Sequence, residues 1–175
     1  KAHHAMNCQP HDEILDIINE ADQVIGSASR REIHDSGLSH RAVHIFLFNS
    51  LGEIYVQKRS KHKDSHPLKL DSSAAGHLDS GEDYFEAAHR ELMEELNLRA
   101  DLVEELRFGP DIATDNERVA LYTCISDHEP KPNPDEIVSG SFWRPAELTR
   151  AMSERPAEFV PAFVLLWELY RNKKS

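Results

Sequence analysis

The sequence contains no long hydrophobic run, few cysteines and no basic stripe, and each absence excludes a class of protein. No apolar stretch approaches the roughly 20 residues that a membrane-spanning helix needs, so a membrane protein is not expected. The two cysteines, Cys8 and Cys124, match no metal-binding or redox spacing, which favours the reducing cytoplasm. Because the formal net charge is −11 and no stripe of lysines and arginines exists, a nucleic-acid polymer is not expected as a partner.

The length and composition are those of one globular domain. With 175 residues, of which 39% are hydrophobic, the chain can bury a core without disulfides. The first residues, KAHHAM, are polar and contain two histidines, so we interpret residues 1–6 as a cloning remnant that precedes a single domain over residues 7–175. Within residues 7–40, short apolar clusters predict a β-hairpin, and SRREIHDSG predicts a short helix that ends at Gly37.

Strands and helices are expected to alternate along the rest of the chain. The stretch RAVHIFLFNSLGEIYVQKRS predicts a second hairpin around a turn at Asn49–Gly52, and residues 61–81 predict a loop. Further strands are predicted at Asp101–Phe108, Arg118–Ser126 and Ile137–Trp143, and helices at Glu82–Leu96, Pro145–Ser153 and Ala157–Asn172. This mixture of elements indicates a layered α/β or α+β domain.

The helix predicted at Glu82–Leu96 carries three carboxylates, Glu91, Glu94 and Glu95, within about one turn. Each like-charged pair at this spacing costs about 0.2–0.5 kcal/mol of helix stability. A divalent cation such as Mg²⁺ or Mn²⁺ reverses that cost, because it prefers hard oxygen ligands. On the helix pattern alone, a metal site and a solvated acidic face are equally open interpretations. The buried stripe of the helix is predicted at Phe85, Ala88, Leu92 and Leu96.

The spacing of residues 76–98 resembles the Nudix box, the signature of the Nudix hydrolase superfamily. Gly76 is followed after five residues by Glu82, and after seven more by RELMEELNL, which begins at Arg90. The signature has glycine where Asn97 stands, and the other specified positions are met. Asn97 follows the helix, where a left-handed backbone is expected, and asparagine tolerates that conformation best after glycine. The resemblance implies a Nudix-type α/β/α sandwich, with a mixed β-sheet between helices.

The resemblance also implies roles for the residues of the box. Glu91, Glu94 and Glu95 match the metal-binding glutamates, and Gly76 matches a glycine whose backbone lies close to the metal. Arg90 matches the arginine that orients the glutamates, so the catalytic candidates are Arg90, Glu94 and Glu95, with the general base left open between the two glutamates. The implied cofactor is Mg²⁺ or Mn²⁺, and the implied reaction is hydrolysis of a phosphoanhydride bond.

Auxiliary acidic residues are expected around this set. Glu82 matches an acidic position of the family, and ligands or bases often come from a loop downstream of the box. Asp115, Glu117, Asp135 and Glu136 are candidates for that part, although each is also explained as a solvated side chain.

A second resemblance connects the chain to the isopentenyl-diphosphate isomerase branch of the family and its hydrolase-like relatives. It rests on SHRAVHIFLF, on DSSAAGHLDSGE and on the basic pair Lys58–Arg59. The isomerases have a proton-transferring cysteine where this chain has Ala75, and alanine cannot transfer a proton. Lys58 and Arg59 are candidates for binding substrate phosphates, with solvent-facing strand residues as the alternative.

Histidines add a further candidate metal site. His77 matches a metal-ligand histidine of the isomerases, and His34 and His40 lie near the positions of two more. A site built from these three histidines and purely structural roles for them both stay open.

Three functions are therefore compared. The leading one is a metal-dependent hydrolase of a nucleoside diphosphate-type or related organic pyrophosphate, with a small-molecule diphosphate as its partner. The isomerase is disfavoured by Ala75, and a non-catalytic ligand-binding domain is disfavoured by the intact Glu91, Glu94 and Glu95. No segment identifies the substrate itself.

Overall fold

A computed structural model of the chain describes residues 13–175. The predicted cloning remnant at residues 1–6, and Cys8, lie outside the described residues. Within the described part, no helix is both long enough and apolar enough to cross a bilayer. The strands are β1 Ile14–Ile18, β2 Val24–Ser29, β3 His40–Phe48, β4 Ile54–Arg59, β5 Leu70–Asp71, β6 Ala74–His77, β7 Val103–Phe108, β8 Glu117–Ile125 and β9 Ile137–Trp143. The α-helices are α1 Arg30–Ser36, α2 Tyr84–Leu96, α3 Pro145–Glu154 and α4 Pro161–Lys174.

The N-terminal segment forms the predicted hairpin and short helix. Strands β1 and β2 pair antiparallel as a separate two-stranded sheet. Helix α1 begins where the Ser29 side chain accepts a hydrogen bond from the backbone of Glu32, and it ends at Gly37, whose φ of 63° is left-handed. The Arg41 Nε donates to Asp22 Oδ1 at 2.8 Å, so the hairpin turn is fixed to strand β3.

Strand β3 is the centre of a seven-stranded mixed sheet. It runs parallel to β8 from His40 opposite Glu117 to Phe48 opposite Ile125, and antiparallel to β6 on its other edge. In the pairing with β6, Ala42 lies opposite His77. This register brings residues that are far apart in sequence to one end of the sheet.

The two faces of β3 enter two separate apolar cores, because successive side chains of a strand point to opposite sides. Val43 and Ile45 pack beneath α2, whereas Ala42 and Phe46 pack beneath α3 and α4. Full burial of one such large apolar side chain contributes about 1.5–3 kcal/mol. The sheet therefore lies between helices, which confirms the predicted α/β/α sandwich of α+β class.

One prediction of local structure was confirmed only in part, and another was wrong. The hairpin expected around Asn49–Gly52 has its strands and turn, but β3 and β4 pair only where Phe48 lies opposite Ile54. Beyond that point β4 pairs with β9 and β5, because both edges of β3 are taken by β6 and β8. The loop expected over residues 61–81 contains strands β5 and β6, whose short Ala- and Gly-containing segment gives little strand signal.

The helix predictions also needed correction. Phe85, expected in the buried stripe of α2, is 54% exposed, whereas Ala88, Leu92 and Leu96 are buried as predicted. The last predicted helix begins at Pro161, not at Ala157. Residues 156–158 form a 3₁₀ turn ahead of it, and Phe159, although buried, is extended.

Candidate active site

Helix α2 presents the three predicted metal-binding glutamates at different depths. The Asp83 side chain accepts a hydrogen bond from the backbone of Glu86 at 2.8 Å and fixes the start of the helix. Glu95 is buried, at 4% exposure, and the Glu91 side chain is 12% exposed. The Glu94 side chain is 57% exposed, so it faces the open side of the site.

Arg90 connects the acidic residues of the Nudix box. Its Nε and Nη2 donate to the two carboxylate oxygens of Glu82 at 2.9 and 2.8 Å, and its Nη1 donates to Glu91 at 2.8 Å and to Glu94 at 3.2 Å. Burial raises the pKa of Glu82, but the hydrogen bonds and charge of Arg90 and a hydrogen bond from the Asp79 backbone together outweigh burial and leave that pKa below its usual value. Nη2 also donates to the backbone carbonyl of His77 at 3.0 Å, so the arginine joins α2 to strand β6.

Gly76 lies directly against the carboxylate of Glu91. A Cβ atom on Gly76 would lie 2.7 Å from Glu91 Oε2 and closer still to Oε1 and Cδ. A side chain at this position would displace the carboxylate, so glycine is required by close approach.

Glu91 and Glu95 form a buried pair of carboxylates. Burial first, and then the neighbouring Glu95 charge, raise the pKa of Glu91 well above its usual value. Burial also raises the pKa of Glu95, although its oxygens accept hydrogen bonds from Gln57 Nε2 at 3.0 Å and from the Ala75 backbone at 3.1 Å. Two adjacent buried carboxylates are an unfavourable arrangement that a bound cation would stabilise.

A second cluster of metal-ligating side chains lies at the end of strands β3, β6 and β8. Ligand atoms of His40, His77 and Glu117 all lie within 4.8 Å of one another, and His77 Nε2 is 3.7 Å from Glu117 Oε1. Burial raises the pKa of Glu117, but the neighbouring histidines, His77 first, together outweigh burial and lower the pKa to about 2. The ring of His34 lies farther off, 6.4 Å from those of His40 and His77 between centroids.

The protonation of His40 fits a metal ligand. Its Nδ1 lies 2.9 Å from the carbonyl of Leu38, which only accepts, so Nδ1 carries the proton and donates it. Burial lowers the pKa of His40, so the ring is neutral and Nε2 keeps its lone pair. This Nε2 is fully buried and has no hydrogen-bond partner among the described residues. An unpartnered imidazole nitrogen beside a histidine and a carboxylate fits a divalent transition-metal ion.

One cavity of about 310 Å³ is lined by Glu91, Glu94 and Glu95 and by two members of the second cluster, His77 and Glu117. His40 is not among its lining residues. The lining also contains the basic residues Arg30, Arg59 and Lys63. Arg59 donates from Nη1 to Asp71 at 3.1 Å, and Arg30 donates to Asp64 at 2.9 Å. The cavity therefore contains both carboxylates that can bind cations and basic groups that can bind anions.

The structure brings together most of the residues that the sequence singled out. Glu91, Glu94, Glu95, Gly76, Arg90, Arg59, His77, Asp115, Glu117 and Glu136 all line the cavity. Lys58 and Asp135 are not among its lining residues, nor is Glu82, which touches the site through Arg90. Lys58 and Arg59 are neighbours on β4, so only one of them faces the cavity.

Two basic lining residues were missed by the sequence reasoning. Arg30 comes from α1 and Lys63 from the loop after β4, and neither stands at a recognisable spacing from the box. Lys63 forms an ion pair with Glu136 from the loop before β9, so the two loops meet over the cavity. No pattern in the sequence marks that meeting.

Comparisons with known proteins agree with this geometry. The NUDIX domain family profile matches residues 38–163. An uncharacterized Nudix hydrolase of Nostoc sp. (strain PCC 7120) is 42% identical over 141 residues, which are 78% of this chain and 83% of that protein. The isopentenyl-diphosphate Delta-isomerase of Pectobacterium atrosepticum is 28% identical over 171 residues, 91% of this chain and 96% of that protein.

A solved structure extends the similarity to the fold. The crystal structure of DR0079 from Deinococcus radiodurans superposes with a TM-score of 0.78 and 32% identity, and the match covers 93% of this chain and all of that one, 100%. Both the profile and these relatives span most of the chain. The chain therefore belongs to the Nudix family, as a Nudix hydrolase of the pyrophosphohydrolase class.

Proposed function

We propose that the protein is a cytoplasmic enzyme that uses Mg²⁺ or Mn²⁺ to hydrolyse a phosphoanhydride bond of a nucleoside diphosphate-type or related organic pyrophosphate. The observation that carries this proposal is the pair of buried carboxylates, Glu91 and Glu95, whose pKa values are both raised. Such a pair destabilises the protein on its own and is explained by a cation that the pair binds. Glu94, on the open side of the helix, completes the proposed ligand set.

The acidic and the basic lining residues have separate roles in binding a diphosphate. We assign Arg59, Lys63 and Arg30 to the phosphate oxygens that would not contact the metal ion. Guanidinium and ammonium groups form charge-assisted hydrogen bonds to such oxygens. Burial lowers the pKa of Lys63, although Glu95 opposes this, so an anionic ligand would favour its charged form.

A divalent ion bound here neutralises charge on the phosphate oxygens and makes a water molecule more acidic. Neighbouring residues of the chain hold the glutamates that would bind this ion. Arg90 holds Glu91 in place, and Gln57 and the Ala75 backbone hold Glu95. Glu94 or Glu95 accepts the proton of the attacking water.

We also assign a divalent ion to His40, His77 and Glu117. The unpartnered His40 Nε2 supports this assignment, because a buried nitrogen with no partner costs free energy unless a ligand satisfies it. Asp115 lies two residues before Glu117 and lines the same cavity, so it is the nearest candidate for an additional oxygen ligand.

Phosphate release from a panel of nucleoside di- and triphosphates, sugar nucleotides, dinucleotides and isoprenoid diphosphates tests the proposal. With Mg²⁺ or Mn²⁺, we expect turnover of at least one class, and a loss of at least about 100-fold in Glu94→Gln or Glu95→Gln. The matched control is Glu168→Gln on α4, an exposed glutamate away from the cavity, which should keep wild-type turnover. Undiminished turnover in both site variants would contradict the catalytic roles assigned to Glu94 and Glu95.

The isomerase is the second candidate, because an isopentenyl-diphosphate isomerase is among the relatives and a histidine–carboxylate cluster is present. Ala75 argues against it, since no proton-transferring side chain stands at that position. Incubation with isopentenyl diphosphate should therefore give no allylic isomer. Detection of one would replace the hydrolase proposal by the isomerase.

A further inference from the structure

The cavity lining includes four uncharged side chains that the proposed hydrolysis does not use, those of His44, Ala75, Val160 and Ala162. His44 of β3 lies opposite Ala75 of β6, so their side chains share one face of the sheet. The backbone of Val160 donates to the carbonyl of Leu70 at 2.9 Å, which holds the start of α4 against the same end of the sheet.

The buried hydroxyl of Ser72 fixes the protonation of His44. His44 Nδ1 lies 2.7 Å from Ser72 Oγ, and Ser72 is fully buried, at 0% exposure. No other acceptor for this hydroxyl lies within hydrogen-bond distance among residues 13–175. The hydroxyl therefore donates to Nδ1, because the opposite arrangement would leave a buried donor unsatisfied. In a neutral ring the proton then lies on Nε2.

The Nε2–H of His44 is available to a ligand. It makes no hydrogen bond within the described residues, yet it is not one of the fully buried unpartnered atoms there. His44 lines the cavity, so we assign this nitrogen to the cavity side of the ring. Ser72 does not reach that space, which excludes a serine–histidine nucleophile and leaves Ser72 as the residue that orients the ring.

We propose that His44 is a specificity residue whose Nε2–H donates a hydrogen bond to an oxygen atom of the uncharged organic group attached to the substrate diphosphate. The inference rests on the proposed hydrolase function and narrows its substrate class. A donor at this position favours substrates whose organic group has an oxygen acceptor beside the diphosphate, such as the sugar of a nucleotide. Substrates with a hydrocarbon group are disfavoured.

The charge pattern of the cavity supports this assignment. In the proposed function, Arg30, Arg59 and Lys63 and the ion that the glutamates would hold bind the diphosphate, so we assign the organic group to the uncharged lining residues. A hydrocarbon there would leave the buried Nε2–H without a partner, and sites built for a hydrogen bond discriminate strongly against ligands that lack it.

Three variants at one position test the role. His44→Leu removes the donor, His44→Gln places its amide nitrogen near the position of Nε2, and His44→Asn places its amide near Nδ1 instead. The KM and kcat are measured for the nucleoside diphosphate that the wild type hydrolyses best. The inhibition constant of n-butyl diphosphate, which has the same diphosphate but no hydroxyl group, is measured in parallel.

We expect His44→Leu and His44→Asn to lower kcat/KM for the nucleoside diphosphate about 10- to 100-fold, while His44→Gln stays within about 5-fold of the wild type. The inhibition constant of n-butyl diphosphate should stay within about 3-fold in all three variants. Because the asparagine and glutamine variants are both polar and close in size, the comparison remains informative if the leucine variant does not fold.

The outcomes separate this inference from the proposed function. Equal losses for the nucleotide and for n-butyl diphosphate, or unchanged kinetics in both His44→Leu and His44→Asn, would overturn the role of His44 and leave the hydrolase standing. If the wild type hydrolyses no diphosphate with Mg²⁺ or Mn²⁺, the proposed function fails, and the inference fails with it.

Discussion

The substitution Gly76→Ala probes the contact between the β6 backbone and the metal-binding glutamates. The new Cβ would lie 2.7 Å from Glu91 Oε2 and closer to the other carboxylate atoms, whereas non-bonded carbon contacts are comfortable at about 3.5–4.0 Å. The carboxylate must therefore retreat by about 1 Å, a misplacement that can lower turnover about 100-fold. It also gives up its 2.8 Å hydrogen bond from Arg90, which costs about 1.5–3 kcal/mol.

The assay is steady-state phosphate release with saturating Mg²⁺, together with the thermal unfolding midpoint of each protein. Gly26→Ala on β2 is the matched control, because an added Cβ there has no atom within 4 Å and should leave activity unchanged. We expect Gly76→Ala to remain folded with turnover at or below about one hundredth of the wild type. A folded Gly76→Ala protein with turnover within about 3-fold of the wild type would refute the argument that the glycine makes room for Glu91.

Two further predictions concern the metal-free protein and the histidine cluster. Folding raises the pKa of Glu91 above its ordinary value of 4.5, so the folded protein binds a proton there that the unfolded chain releases. The free energy of unfolding therefore falls as the pH rises above about 4.5. In EDTA, Glu91→Gln should therefore have the same melting temperature as the wild type near pH 4.5 and a higher one at pH 8. A difference in melting temperature that does not change between these pH values would contradict the raised pKa. His40→Ala removes the unpartnered Nε2, so it should reduce the rise in melting temperature that Mn²⁺ causes in the wild type; an unchanged rise would show that His40 does not bind the ion.

The layered fold was predictable because local patterns and tertiary structure agree along much of the chain. Ser29 and Gly37 signal the ends of α1, and both act as caps. Asn97 departs from the family signature, and it takes the left-handed conformation that the signature glycine would take, with φ of 55°.

The predictions for β5, β6 and Phe85 were wrong because tertiary contacts, not local sequence patterns, decide their structure. Strands β5 and β6 are too short and too rich in small residues to show a strand pattern, and β6 forms because the free edge of β3 pairs with it. Phe85 has the helical spacing of a core residue, but it lies in the first turn of α2, beyond the edge of the sheet core, and packs against His89 instead.

The carboxylates of the site and the basic residue Arg59 were predictable from the sequence, whereas Arg30, Lys63 and His44 were not. Glu91, Glu94 and Glu95 follow one another on a single helix, so their spacing predicts that they cluster. Arg30 and His44 come from separate elements whose meeting depends on the register of β3 and on the docking of α1. A single sequence holds no signal for such long-range placement.

The most direct measurement of the central claim is a Mn²⁺ titration followed by electron paramagnetic resonance, on the wild type and on the double variant Glu91→Gln/Glu95→Gln. We expect the wild type to bind Mn²⁺ at α2, and to bind it more tightly when a diphosphate ligand is present. The double variant should bind at least one ion fewer. The same number of bound ions with the same affinity in both proteins would contradict the claim that these buried carboxylates hold the ion that hydrolysis requires.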